Sequence, residues 1–148
     1  MDIADFIAQD RIALDLRVRD KAQLLRDLAR RVAPFGGGIP ADTILEALQS
    51  RETLGSTGLG RGFALPHARL EGLKQHIGMF ARLARPIEYD SIDGKPVDLV
   101  FLLLMPAGAD TNSVAALAAV SRRFRDEDCV ARLRKADAAG VQGVLTAE

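Results

Sequence analysis

Between Val97 and Met105 the chain is apolar at every position except Asp98. A surface helix or edge strand keeps one polar face, and this run keeps none. The pattern predicts a central strand covered on both faces by helices. Pro96 marks its entrance, and Pro106 with Gly108 end it.

The surrounding segments predict the rest of such a sheet. Ile12, Leu14, Leu16 and Val18 alternate with smaller or charged residues, the period of a half-buried strand. Asp20 offers an N-cap and Gln23 completes a capping-box spacing. Leu24, Leu25, Leu28 and Val32 then share one helical face. Pro34 and Gly36-Gly37-Gly38 end that helix in a plain turn, since no Lys-Ser/Thr pair follows to make a phosphate loop.

A second helix is expected from Ala41 to Arg51, with Ile44, Leu45 and Leu48 as its apolar side and Thr43 with Glu46 boxing its start. Phe63 to Leu65, Ile77 to Leu83 and Ile87 to Tyr89 read as further strands. Asp93-Gly94 reads as a tight turn. Val114, Leu117, Val120, Ser121 and Phe124 predict a helix beginning near Asp110 or Thr111. Asp126 to Lys135 and Asp137 to Leu145 predict two short closing helices. Strands interleaved with helices around one apolar strand argue an α/β fold: a single domain over residues 1–148.

Composition excludes several function classes. Twenty basic and twenty acidic residues cancel to a formal net charge of zero. A nucleic-acid binder working by counterion release is more basic than this, as is a binder of anionic membranes. One cysteine, Cys129, forms no internal disulfide, and with two histidines it leaves too few soft ligands for a zinc site. No apolar stretch approaches the roughly 20 residues of a membrane span. Met1 to Asp10 carries acids and no basic n-region, unlike a secretory signal. A cytoplasmic protein without metal or membrane insertion is expected.

The stretch that carries chemistry is Arg51 to His67. Gly55, Gly58, Gly60 and Gly62 let a ligand approach backbone amides, and Ser56 and Thr57 add hydroxyls. Arg51 closes the preceding helix with a planar cation suited to phosphate oxygens. His67 follows a short strand and Pro66, at the crevice where open α/β sheets bind ligands. The spacing matches neither a Walker A loop nor a dinucleotide fingerprint, and no Gly-x-Ser-x-Gly elbow is present. Residue types alone leave two readings: an anion pocket beside one nucleophilic imidazole, or a glycine-rich loop with a structural histidine.

The same run, RETLGSTGLGRGFALPH, resembles the active-site signature of the fructose/mannitol-type enzyme IIA domains of the bacterial phosphoenolpyruvate-dependent phosphotransferase system. Asp93 to Phe101, Leu103 to Pro106 and Arg132 to Ala136 continue the resemblance. The stand-alone length is most similar to the nitrogen-regulatory members. The resemblance implies a mixed β-sheet flanked by helices on both faces. It implies that His67 is the phosphoryl acceptor, that Arg51 is the active-site arginine, and that Gly55, Ser56, Thr57, Gly58 and Ser113 line the phosphate site.

The donor it implies is a histidine-phosphorylated, HPr-like carrier of the nitrogen type, so no cofactor and no metal are expected. The phosphorylation state would then act on regulatory proteins such as potassium-transport or sensor-kinase components. A transport member would instead pass the group to a IIB domain, and a member that had lost transfer would serve as a docking module.

There is one departure. The family commonly places a second histidine seven residues beyond the proline that ends the central strand, and here that position is Ser113. A serine donates a hydrogen bond but carries no positive charge. Of the remaining candidates, His76 is expected to be a surface or hydrogen-bonded histidine, Cys129 a core residue, and Arg122, Arg123 and Arg125 a solvated helix face.

Overall fold

The apolar run forms strand β6 in the middle of a mixed sheet. In this computed structural model residues 1–108 and 111–147 are described, without the side chain of Thr111. In chain order the elements are β1 (Ile12–Leu16), α1 (Lys21–Val32), α2 (Ala41–Thr53), β2 (Gly58–Gly60), β3 (Phe63–Ala64), β4 (His67–Leu70), β5 (Ile77–Ile87), β6 (Val97–Pro106), α3 (Thr111–Arg125), α4 (Glu127–Leu133) and α5 (Ala138–Thr146). Asp110 and the Thr111 side chain, expected at the start of α3, lie outside the described residues.

The sheet order is β1-β5-β6-β3-β2, with β4 also paired to β6. Strand β6 runs antiparallel to β5, with Phe80 opposite Phe101 and Gly78 opposite Leu103. On its other side β3 and β4 follow one another, both parallel to it. From Leu99 to Met105 its side chains alternate between two cores. Val100, Leu102 and Leu104 pack with Leu24, Leu28, Ile44 and Leu48 of α1 and α2. Leu99, Phe101, Leu103 and Met105 pack with Ala116, Val120 and Phe124 of α3 and with α4 and α5. The expected architecture, one sheet with helices on both faces, is what forms.

Among the described residues, local rules explain the starts of α1, α4 and α5 but not that of α2. The Asp20 carboxylate accepts from the Gln23 amide at 2.8 Å, and the Gln23 side chain accepts in turn from the Arg19 amide at 2.7 Å. Asp126 and Asp137 cap α4 and α5 through their side chains. Helix α2 departs from expectation. Pro40 stands at its N-cap with no side-chain cap bond, so Thr43 and Glu46 do not box its start, and it runs on to Thr53.

Other boundaries also shift. Strand β1 stops at Leu16, just beyond Asp15 with its positive φ of 56°. Ile87 ends β5 rather than beginning a separate strand. Val114 faces outward at 65% exposure, and the buried stripe of α3 is Ser113, Ala116, Val120 and Phe124. Cys129 is a core residue whose thiol burial pushes upward, away from reactivity. Among the described residues no helix is long and apolar enough to cross a membrane.

Candidate functional site

Strands β3 and β4 lie along the same side of β6, separated by Leu65 and Pro66. Proline cannot donate to a ladder, so the pairing breaks there, while the Pro66 carbonyl still accepts from the Leu103 amide at 3.0 Å. His67 therefore opens β4, level with Leu103, instead of trailing the preceding strand. Ala68 and Leu70 join the core beneath α1 and α2. Strand alternation gives His67 the opposite face, which it shares with Leu103.

Helix α2 delivers two consecutive side chains to this place. Arg51 donates from Nε to His67 Nε2 at 3.3 Å and from Nη1 to the Gly55 carbonyl at 2.8 Å. A guanidinium has no acceptor, so Nε2 of His67 presents its lone pair. The ring proton is thereby assigned to Nδ1, which lies 2.7 Å from the Leu65 carbonyl and donates to it. Burial holds the imidazolium below the ordinary histidine range. The Leu65 carbonyl opposes that shift, and the nearby Arg51 charge adds to it. The imidazole is thus neutral at neutral pH, with one fixed tautomer and Nε2 as the nucleophilic nitrogen.

Glu52, the next residue, turns the other way. Its side chain is only 8% exposed and pairs with Lys21 Nζ at 2.7 Å. It also accepts from the Thr57 amide at 3.1 Å and from the Thr57 hydroxyl at 2.5 Å. Thr57 Oγ1 lies 3.0 Å from the Tyr89 hydroxyl, and Lys21 Nζ sits 4.5 Å above the Tyr89 ring. Burial, then the Glu52 charge, pushes the Tyr89 phenol well above its ordinary range, so it stays protonated. Ser56 donates from its hydroxyl to the Tyr89 carbonyl at 2.9 Å and accepts from the Gly58 amide at 3.0 Å.

The glycine loop is therefore a fastened structure rather than an open cradle. The hydroxyls of Ser56 and Thr57, expected to face phosphate, point into the loop. The amides of Thr57 and Gly58 are likewise engaged. Gly58 is required sterically, because a Cβ there would stand 2.5 Å from Ser91 Oγ and 2.9 Å from Ser91 Cα. The Asp93 carboxylate ties the far side by accepting from the amides of Arg61 and Lys95, which lowers its affinity for protons. What the loop contributes to the site is the Gly55 carbonyl that aims Arg51.

The structure thus brings together Arg51, Gly55 and His67. Ser113 is fully buried and bonds instead to His76, with Oγ 3.0 Å from Nε2. Asp98 makes a two-toothed pair with Arg134, away from the site. Sequence reasoning missed Glu52 and Arg69. Arg69 lies two residues after His67, on the same face of β4, and its charge lowers the His67 pKa further. Period-two spacing from His67 is the signal that marks it. Among the described residues no group of three metal-ligating side chains converges.

Comparison with known proteins identifies the family and the fold. A Bradyrhizobium diazoefficiens protein named nitrogen regulatory protein is 44% identical over 146 residues, which cover 98% of this chain and 95% of that protein. The crystal structure of nitrogen regulatory protein IIA-Ntr from Neisseria meningitidis superposes with a TM-score of 0.93 at 34% identity, covering 97% of this chain and 99% of that one. The IIA mannitol structure from Escherichia coli shares the fold at a TM-score of 0.78 and 17% identity, covering 94% and 98% of the two chains. The model of the family described as phosphoenolpyruvate-dependent sugar phosphotransferase system, EIIA 2, matches residues 5–141, and the chain belongs to that family.

Proposed function

We propose that this chain is a cytoplasmic phosphocarrier of a phosphotransferase system that signals through its phosphorylation state, with His67 Nε2 as the acceptor. The observation that carries this reading is the pair of contacts on the His67 ring. Leu65 fixes the proton on Nδ1, and Arg51 marks Nε2 as the free lone pair. In the transfer the N–P bond of a donor phosphohistidine breaks and its electron pair returns to the donor ring. The Nε2 lone pair of His67 forms the new N–P bond, and its proton stays on Nδ1, hydrogen-bonded to the Leu65 carbonyl. A loose, in-line transition state asks the protein for position and positive charge.

Arg51 supplies that charge. Its Nε–H leaves the lone pair as phosphorus arrives and turns to a phosphoryl oxygen, while Nη1 keeps its hold on Gly55. The loop from Gly55 to Gly58 keeps Arg51 and His67 in register, and Ser113 belongs to the wall of the same site.

A second observation supports a protein donor. Leu54 at the end of α2, Leu59 in β2, Ile92 beside Gly58 and Val114 at the start of α3 are exposed apolar side chains on the segments that build or flank the site. Leu54 is 83% and Ile92 79% exposed. An HPr-like carrier of the nitrogen type fits such a rim. The names of the relatives favour regulation over sugar transport as the outcome.

The test is 31P–15N NMR after incubation with phosphoenolpyruvate, enzyme I and the carrier. Coupling of phosphorus to Nε2 of His67 supports the reading. Phosphorus on Nδ1, or on another residue, contradicts it.

A further inference from the structure

His76 is the second of the chain's two histidines, and the transfer described above makes no use of it. It is 9% exposed, and its Nε2 lies 3.0 Å from the hydroxyl of the fully buried Ser113. Strand register places this pair. Gly78 stands opposite Leu103 and Ile77 opposite Leu104, so the antiparallel ladder carries His76 to the level of Met105. On the other side of β6, His67 is level with Leu103 and Arg69 with Met105. Ile77 points into the α1/α2 core, so alternation gives His76 the face of Leu103 and Met105, which is also the face of His67.

Helix α3 closes the space between them. Phe124 stacks on Phe63 at a centroid distance of 3.8 Å, which fixes the far end of α3 near the level of Leu99. From Phe124 back to Ser113 the helix rises about 16 Å at its usual pitch, the length of about five strand residues. Ser113 therefore overlies the end of β6, between His67 on one flank and His76 on the other.

Resting on the phosphocarrier reading, we propose that His76 is a positioning residue for phosphoryl transfer, acting through Ser113. The imidazole Nε2–H donates to Ser113 Oγ. That leaves the single hydroxyl hydrogen of Ser113 to donate toward a phosphoryl oxygen on His67. Without His76 the hydroxyl is free to rotate toward other acceptors. The imidazole on β5 thus gives Ser113, a side chain with no charge of its own, a fixed direction as a donor.

The test measures single-turnover transfer from the phosphorylated carrier at varied carrier concentration, with thermal melts alongside. His76→Phe keeps the ring's bulk and removes the donor, His76→Gln keeps a donor, and Ser113→Ala removes the hydroxyl. The expected result is a loss of about tenfold in maximal rate for His76→Phe and Ser113→Ala, with half-saturating carrier concentration unchanged. His76→Gln keeps most of the rate, and His76→Phe combined with Ser113→Ala loses no more than the slower single variant.

Folded His76→Phe transferring at the wild-type rate overturns the proposal, as do Gln and Phe variants that are equally slow. If His76→Phe does not fold, a wild-type rate in Ser113→Ala overturns it. A wild type that takes up no phosphoryl group overturns the His67 reading itself and this proposal with it, whereas normal uptake in every variant overturns this proposal alone.

Discussion

The guanidinium Nε of Arg51 sits 3.3 Å from Nε2 of His67, so the lone pair proposed to attack phosphorus is covered by the cation proposed to meet the phosphate charge. The contact does two jobs at different moments. At rest it selects the tautomer and disfavours protonation of the ring. In the proposed transfer it would provide charge that needs little reorganisation, because Gly55 already holds the other end of the fork.

Arg51→Ala should slow phosphoryl uptake by about a hundredfold, the size of effect seen when one preorganised donor to a developing charge is removed. Arg51→Lys should recover only part of this, since a point charge cannot hold Gly55 and serve phosphate together. Rapid-quench transfer assays on both variants check the ranking. Equal rates for Lys and Arg at position 51 would show that geometry is unimportant.

The depressed pKa of His67 has a sign that can be tested. The unfolded chain binds a proton near pH 6.5 and the folded chain only at lower pH, so stability rises with pH across that interval. The stability of wild type, measured by equilibrium unfolding, should fall as pH drops below 6.5, and His67→Ala should lose that part of the slope. Phosphoryl uptake should stay level through pH 6.5 and decline only at more acidic values. A decline already centred on 6.5 or above would contradict the assigned shift.

Glu52 carries the loop rather than the chemistry. Glu52→Gln leaves Lys21 without its buried partner and should destabilise the fold by about 3 kcal/mol in urea titrations. Lys21→Met combined with Glu52→Gln should recover part of that loss. A single variant as stable as wild type would mean that the pair contributes nothing to holding Thr57.

Leu54→Glu and Ile92→Glu test the apolar rim. Both side chains are exposed, so melting temperature should change little. The carrier concentration needed for half-maximal transfer should rise severalfold while the maximal rate is kept. A drop in maximal rate alone would place these residues in the reaction rather than in docking.

Much of the architecture was legible from periodicity. β6 and α1 declare themselves because their apolar spacing leaves one geometry each. β4 does not, since the alternation in His67-Ala-Arg-Leu70 spans only four residues directly after Pro66, and the strand is completed by pairing with β6. The outward turn of Val114 was hidden for the opposite reason. A valine outranks a serine on hydropathy, yet the bond to His76 draws Ser113 inward.

In the site, Arg51 and His67 were readable as residue types and the family pattern paired them. The inward turn of Ser56 and Thr57 was not. It depends on Tyr89, more than thirty positions away in the chain, and on Glu52, whose neighbour Arg51 drew the attention.

The central claim is that His67 carries the phosphoryl group. Intact-mass analysis after incubation with phosphoenolpyruvate, enzyme I and the HPr-like carrier, kept alkaline to preserve a phosphoramidate, tests it most directly. One added phosphoryl group in wild type and none in folded His67→Ala is the predicted result. An unchanged wild type beside a working positive control, or a labelled His67→Ala, would contradict it.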